Sequence, residues 1–252
     1  MNYQVEVCID NIESLHNAIA GGATRIELCS SLALGGLTPS SGLMHSAGKL
    51  SSIPVYAMIR PREGDFFYHA DDLVIMEQDI HAAHQANLQG VVLGMLTPDG
   101  KVDVARCKPL IELAHSLGLG VTFHRAFDHC AHPEQALEEI IALGCERVLT
   151  SGLARSAYLG IERLAQLVQQ SAGRISIMAG AGVNAQNVAE IALDTGVQEL
   201  HLSAKTTRSS LMQFIRSESK MGANDCDDFI IPVTSTEALQ QTVQALNSIH
   251  SN

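Results

Sequence analysis

The sequence predicts a single (β/α)8 barrel of the TIM type over residues 1–252. Three observations carry that expectation. Short β-branched runs alternate with helical patterns eight times. The length of 252 residues matches the roughly 250 residues at which eight βα units close into a barrel. Strict alternation also demands parallel strands joined by right-handed crossovers. An open eight-stranded sheet is the alternative. No G-x-G-x-x-G turn follows the first strand, which removes the main support for a dinucleotide-binding version of it.

The elements follow in order. YQVEVC at 3–8 is a strand, followed by a helix from about Asn11 to Ala20; TRIELC at 24–29 precedes a helical segment from about Pro39 to Lys49. PVYAMI at 54–59 leads to a long helix near 70–87, and GVVLG at 90–94 to one near 103–117. GVTFH at 120–124, ERVLTS at 146–151 and RISIMA at 174–179 are followed by helices near 133–143, 157–171 and 184–193. QELHLS at 198–203 is the eighth strand. An irregular segment, 204–234, then leads to a closing helix, STEALQQTVQALNSI, opened by a cap at Ser235 or Thr236.

Composition narrows the function. Hydrophobic residues are 46% and charged residues 17%, which excludes disorder and fits a large interior. No apolar run approaches the roughly 18 residues that a membrane span needs. Lys+Arg 16 against Asp+Glu 27 gives a net charge of −11, so a nucleic-acid backbone would be repelled. The N-terminus enters a strand pattern at once and leaves no room for a signal peptide, so a cytoplasmic protein is expected. Six cysteines (8, 29, 107, 130, 145, 226) form no C-x-x-C, which excludes zinc-ribbon readings.

In such a barrel, chemistry sits at the C-terminal ends of the strands. Glu6 and Cys8 share one side of the first strand, Glu27 and Cys29 one side of the second. The thiols are either small buried hydrophobes, a soft-metal pair suited to Cu(I), or a redox pair. Buried carboxylates require partners, and Arg60 and His124 are the expected ones, with His201 on the eighth strand completing a polar pocket. This constellation reads as an active site or as an ion network that only closes the barrel. The opposite ends of the strands read as ordinary.

AGAGVNAQN at 179–187 is a Gly-rich turn after the seventh strand. Free N–H groups at Gly180, Gly182 and Asn184, with Arg60 across the mouth, would hold an anion; otherwise the glycines only serve a tight turn. Glu77, His81 and His84 share a helix face that reads as solvated, while His129, Cys130 and His132 offer soft ligands after the fifth strand.

VEVCIDNIES, GGATRIELCSSLALGGLTPSSGL, MIRPREGDFFY, TFHRAFD, RVLTSG, AGAGVNAQNV and ELHLSA, in series from residue 3 to about 204, resemble the CutC family, named for copper homeostasis. The resemblance implies a (β/α)8 barrel that self-associates, as a homodimer or another closed homo-oligomer, and a cytoplasmic protein linked by name to copper tolerance. It also implies copper-ligand candidates at Cys8 and Cys29. His132 stands where relatives commonly show Asp.

Two function classes follow. One is copper homeostasis, with Cu(I) held by Cys8 and Cys29. The other is a barrel enzyme acting on a small anionic or phosphorylated metabolite, with Glu6, Glu27, Arg60, His124 and His201 as the catalytic set and Glu27 or His124 moving a proton. A scaffold without chemistry is the third reading.

Overall fold

A computed structural model describes residues 3–216, 219 and 227–249. Cys226 lies outside them. Eight strands pair in parallel and in sequence order to close a barrel: β1 (Gln4–Ile9), β2 (Arg25–Leu28), β3 (Val55–Met58), β4 (Gly90–Leu93), β5 (Gly120–Phe123), β6 (Arg147–Thr150), β7 (Ser176–Ala179) and β8 (Glu199–Leu202). β8 returns to β1, with Glu6 opposite His201, which completes the ring. The helices are α1 (Ile12–Gly21), α2 (Ser41–Leu50), α3 (Ala70–Gln85), α4 (Val104–Ser116), α5 (Pro133–Ala142), α6 (Ile161–Ser171), α7 (Val188–Thr195) and α8 (Thr236–Ser248).

Alternation along each strand divides the molecule into two interiors. Val5, Val7, Ile26, Leu28, Val55, Ala57, Val91, Leu93, Val121, Phe123, Val148, Ile177 and Leu200 belong to the main apolar cluster shared with the helices. The intervening residues line the barrel, and many are polar. Glu6 is fully buried and pairs with Arg25; Arg25 also pairs with Glu199, whose carboxylate lies 3.3 Å from Arg147 Nε. Both guanidinium groups lie over the Tyr56 ring, at 5.5 and 4.9 Å from its centroid. Two glycines make room for that ring. A Cβ at Gly90 would sit 2.1 Å from Tyr56 Cε1, and one at Gly120 would sit 2.6 Å from its Oη.

The N-terminal half of the barrel is therefore an ionic layer, not the ordinary packing expected from sequence. The 204–234 segment also differs from the expected irregular stretch. Its ends form an antiparallel pair, β9 (Lys205–Ser209) and β10 (Ile230–Thr234). This arm docks on α1 through Arg208–Glu13, Thr234 N to Ser14 Oγ at 3.0 Å and Asn17 Nδ2 to the Thr234 carbonyl at 2.9 Å. Ser235 Oγ accepts from Ala238 N and caps α8 as its sequence predicts. α7 begins at Val188, four residues after the expected start, because Asn184 folds into a local turn: its Oδ1 accepts from Gln186 N and its N–H is taken by Asn187 Oδ1.

Candidate functional site

The C-terminal mouth holds a cavity of about 340 Å³, lined by Cys8, Glu27, Arg60, His124 and His201 among others. The loops after β2, β3 and β7 complete its wall through Gly35, Phe66 and Ala181–Val183. Glu6 lies just beneath, one pleat deeper on β1.

Register decides who meets whom. Cys8 stands opposite Glu27, and Glu6 opposite Arg25, so the two E-x-C repeats are staggered by one pleat. Glu6 accepts from His201 Nδ1 at 2.8 Å and from Arg25. Burial alone would raise this carboxyl, but the His201 hydrogen bond and Arg25 hold it at about 2. Glu27 Oε2 lies 3.5 Å from Cys29 Sγ and 3.8 Å from His201 Nε2. Its Oε1 is buried and has no hydrogen-bond partner among the described residues. Burial raises the Glu27 carboxyl against the pull of His201. His201 is held well above the usual imidazole value: burial opposes the proton, but Cys8, Glu27 and Glu6 together retain it.

The expected pairing of Glu6 and Glu27 with Arg60 and His124 is thus replaced by Arg25 and His201. Arg60 serves the loops. Its Nη1 donates to the carbonyls of Leu34 at 2.9 Å and Gly36 at 3.1 Å, and its Nη2 to that of Gly64 at 2.9 Å. Its Nε is buried and unpartnered, the guanidinium lies 5.2 Å from the Phe66 ring centroid, and no carboxylate forms an ion pair with it among the described residues.

His124 caps the turn that follows β5. The Ala126 N–H donates to its Nδ1 at 3.2 Å, which fixes that nitrogen as an acceptor. Burial, with the nearby Arg60 charge, lowers its pKa to about 3. The ring is therefore neutral at physiological pH, with its proton on Nε2. Nε2 is buried and unpartnered among the described residues. Gly94 allows this placement, since a Cβ there would come 2.6 Å from Nδ1.

The turn after β7 divides the expected anion ligands. Gly180 N donates to the Thr150 carbonyl at 3.0 Å, and a Cβ there would meet Leu149 Cδ1 at 2.6 Å, so Gly180 is a packing glycine. Asn184 is exposed and held within its own loop. Gly182, at φ 73°, lines the cavity beside Ala181, which adopts φ 80° without being glycine. Among the described residues, no hydrogen bond occupies the N–H groups of Ala181, Gly182 or Val183.

Among the described residues one cluster offers three metal donors within 4.8 Å of one another: Cys8, Glu27 and His201. Cys29 does not join it. That thiol is fully buried in a small cluster with Met58 and Val92, and burial pushes its pKa well up. Neither Glu77, His81 and His84 nor His129, Cys130 and His132 form such a cluster, although His129 lines the mouth. A Cu(I) ion between the two thiols would take Cys8 from this cluster and its second donor from Cys29, whose Sγ lies 3.5 Å from Glu27 Oε2. Arg25, Arg147, Glu199 and Tyr56 were missed by the sequence reading. Their only signal was parity, since each lies an even number of residues from an inward-facing position.

Comparison with known proteins agrees with this architecture. The CutC family profile matches residues 3–206. A family protein CutC from Vibrio cholerae is 84% identical over 251 residues, covering 100% of this chain and 99% of that one. One from Vibrio vulnificus is 69% identical over 249 residues, covering 99% and 100%. The provisionally named copper homeostasis protein CutC from Streptococcus agalactiae superposes with a TM-score of 0.75 at 34% identity, over 79% of this chain and 97% of that one. A thiamine phosphate pyrophosphorylase from Pyrococcus furiosus, at 17% identity and a TM-score of 0.58, shares the fold alone. With its family profile, its relatives and its closed barrel in agreement, the chain belongs to the CutC family.

Proposed function

We propose that the mouth cavity binds a small anionic metabolite, and that the protein is a barrel enzyme acting on it by acid–base chemistry. The observation that carries this reading is Arg60, a 6% exposed cation lining the cavity with no carboxylate partner among the described residues and an unpartnered Nε. A buried charge without a counter-ion costs several kcal/mol, and an anionic ligand supplies the missing charge. His124 presents a neutral Nε2–H suited to a carbonyl or phosphoryl oxygen, and the amides of Ala181, Gly182 and Val183 suit the far end of the ligand. Glu27, with a raised pKa and a free Oε1, is the proton carrier. His124 polarises and does not act as the base.

A thermal-shift screen of phosphorylated and carboxylated metabolites tests this. A ligand at 100 times its Kd stabilises by about 2.7 kcal/mol. Arg60→Lys, which keeps the charge and loses the fork that holds the loops, should reduce the gain, and His124→Asn should reduce it independently. A screen without any stabilisation that depends on Arg60 would reject the reading.

A second reading, Cu(I) handling, is favoured by the sulfur-rich corner of the mouth. Cys29 Sγ and Met58 Cε both lie within 3.6 Å of the point a Cβ on Gly36 would occupy, and Cys8 lines the adjoining cavity. It is supported by the name carried by the Streptococcus agalactiae relative. Anaerobic Cu(I) titration decides it: equal stoichiometry and affinity in the Cys8→Ser/Cys29→Ser double variant would exclude the thiol pair. In either reading the protein works in a reducing, cytoplasmic setting as a closed homo-oligomer. The free thiols of Cys8, Cys29, Cys107, Cys130 and Cys145 support the first point.

A further inference from the structure

We propose that Cys8, Glu27 and His201 form a three-ligand site for a borderline divalent transition-metal ion such as Zn²⁺, with the fourth coordination position open to the mouth cavity. The proposal rests on the mouth cavity being the functional site, and it names a different class of ion from Cu(I).

Four observations support it. The three donor atoms lie within 4.8 Å of one another, and Glu27 Oε2 is 3.8 Å from His201 Nε2. Ligand bonds of 2.0–2.3 Å place the donors of a tetrahedral ion about 3.5 Å apart, so closure needs only small side-chain shifts. His201 is already oriented, since its Nδ1–H donates to Glu6 at 2.8 Å and its Nε2 lies 3.8 Å from Glu27 Oε2. A carboxylate behind a metal-binding histidine is the usual outer support of such a ligand. Glu27 is 3% exposed, lines the cavity and keeps an unpartnered Oε1, so an ion satisfies a carboxylate that the protein leaves short of partners. Finally, the three donors line one wall of the cavity, which leaves the remaining side of the ion to whatever enters there.

Donor chemistry selects the ion. One thiolate, one imidazole and one carboxylate make a mixed set that suits Zn²⁺ in an open, catalytic type of site, whereas Cu(I) prefers sulfur alone. Cys29 is not required: its thiol points at Glu27 from a dry, apolar corner.

The test uses reduced, chelator-treated full-length protein titrated with Co²⁺ and then with Zn²⁺. The expected result is one ion per chain, with a thiolate-to-cobalt charge-transfer band that Zn²⁺ removes by displacement. Cys8→Ala should abolish the band, and Cys29→Ala should leave band and stoichiometry intact. Glu6→Gln, confirmed as folded by its melting curve, should lower affinity by about 10–100-fold and keep the band. Absence of the band in the parent protein overturns the site whatever the variants do, and so does equal loss in Cys29→Ala. Neither result bears on Arg60-dependent stabilisation by an anion, which is measured separately by thermal shift.

Discussion

Acidification tests the description of His124 most sharply. Its ring is 3% exposed, and burial with the nearby Arg60 charge lowers its pKa from 6.5 to about 3. Below about pH 6 the unfolded chain binds a proton at this ring and the folded protein does not. The contribution is fully present above the unfolded value and is lost as pH falls toward the folded one. The slope is about 1.4 kcal/mol per pH unit, so from about pH 6 to about pH 4.5 His124 removes about 2 kcal/mol of stability. For a chain of this size that is roughly 4–8 °C in Tm. Other groups act in the same range. Glu27, with its raised carboxyl, has the opposite sign, while His201 is protonated in the folded state and mostly so in the unfolded state there, and contributes little slope. Glu6, held at about 2, begins to matter only below its ordinary value of 4.5. The informative quantity is therefore the difference between the parent and His124→Asn, whose Oδ1 can still accept from Ala126 N. Urea denaturation in chelator-containing buffer should show the parent losing about 2 kcal/mol more than the variant across this range. Parallel stability curves would refute the buried, neutral ring.

Other predictions concern the scaffold. Gly90→Ala places a methyl group against Tyr56 and should destabilise by about 1–3 kcal/mol in chemical denaturation, with Tyr56→Leu recovering most of the loss. Arg147→Met removes one cation of the ionic layer while Glu199 keeps Arg25, so its effect should fall well below that of Arg25→Met, which takes a cation from two carboxylates at once and leaves Glu6 only His201 and Glu199 only Arg147; thermal melts of the two variants compare them. Light scattering at micromolar concentration should give a multiple of 27.0 kDa, and a monomer mass would reject self-association.

The fold was legible because its signals are local. Each strand carries an apolar alternate set for the helices, and each helix its own amphipathic face, so eight units could be counted before any contact was known. Parity was legible too: Glu6 with Cys8, and Glu27 with Cys29, do face the barrel. Register was not. A closed barrel staggers its strands, and that stagger placed Glu6 beside Arg25 and Cys8 beside Glu27. Arg60, although at the expected strand end, turns its fork onto three loop carbonyls, because the glycine-containing turns after β2 and β3 bring backbone oxygens to it. The left-handed backbone of Ala181 has no residue signature, since alanine rarely adopts it. The acceptor role of His124 Nδ1 depends on an amide two residues later, which only the turn geometry brings into place.

The measurement that bears most directly on the mouth as an anion site is electron density from crystals soaked in inorganic phosphate, for the parent and for Arg60→Lys. The account predicts an ordered oxyanion in the parent mouth, within hydrogen-bond reach of His124 Nε2 or the Ala181–Val183 amides, and its weakening or loss in the variant. Ordered water alone against Arg60 Nε and His124 Nε2 in the parent, or phosphate bound equally in both proteins, would contradict it.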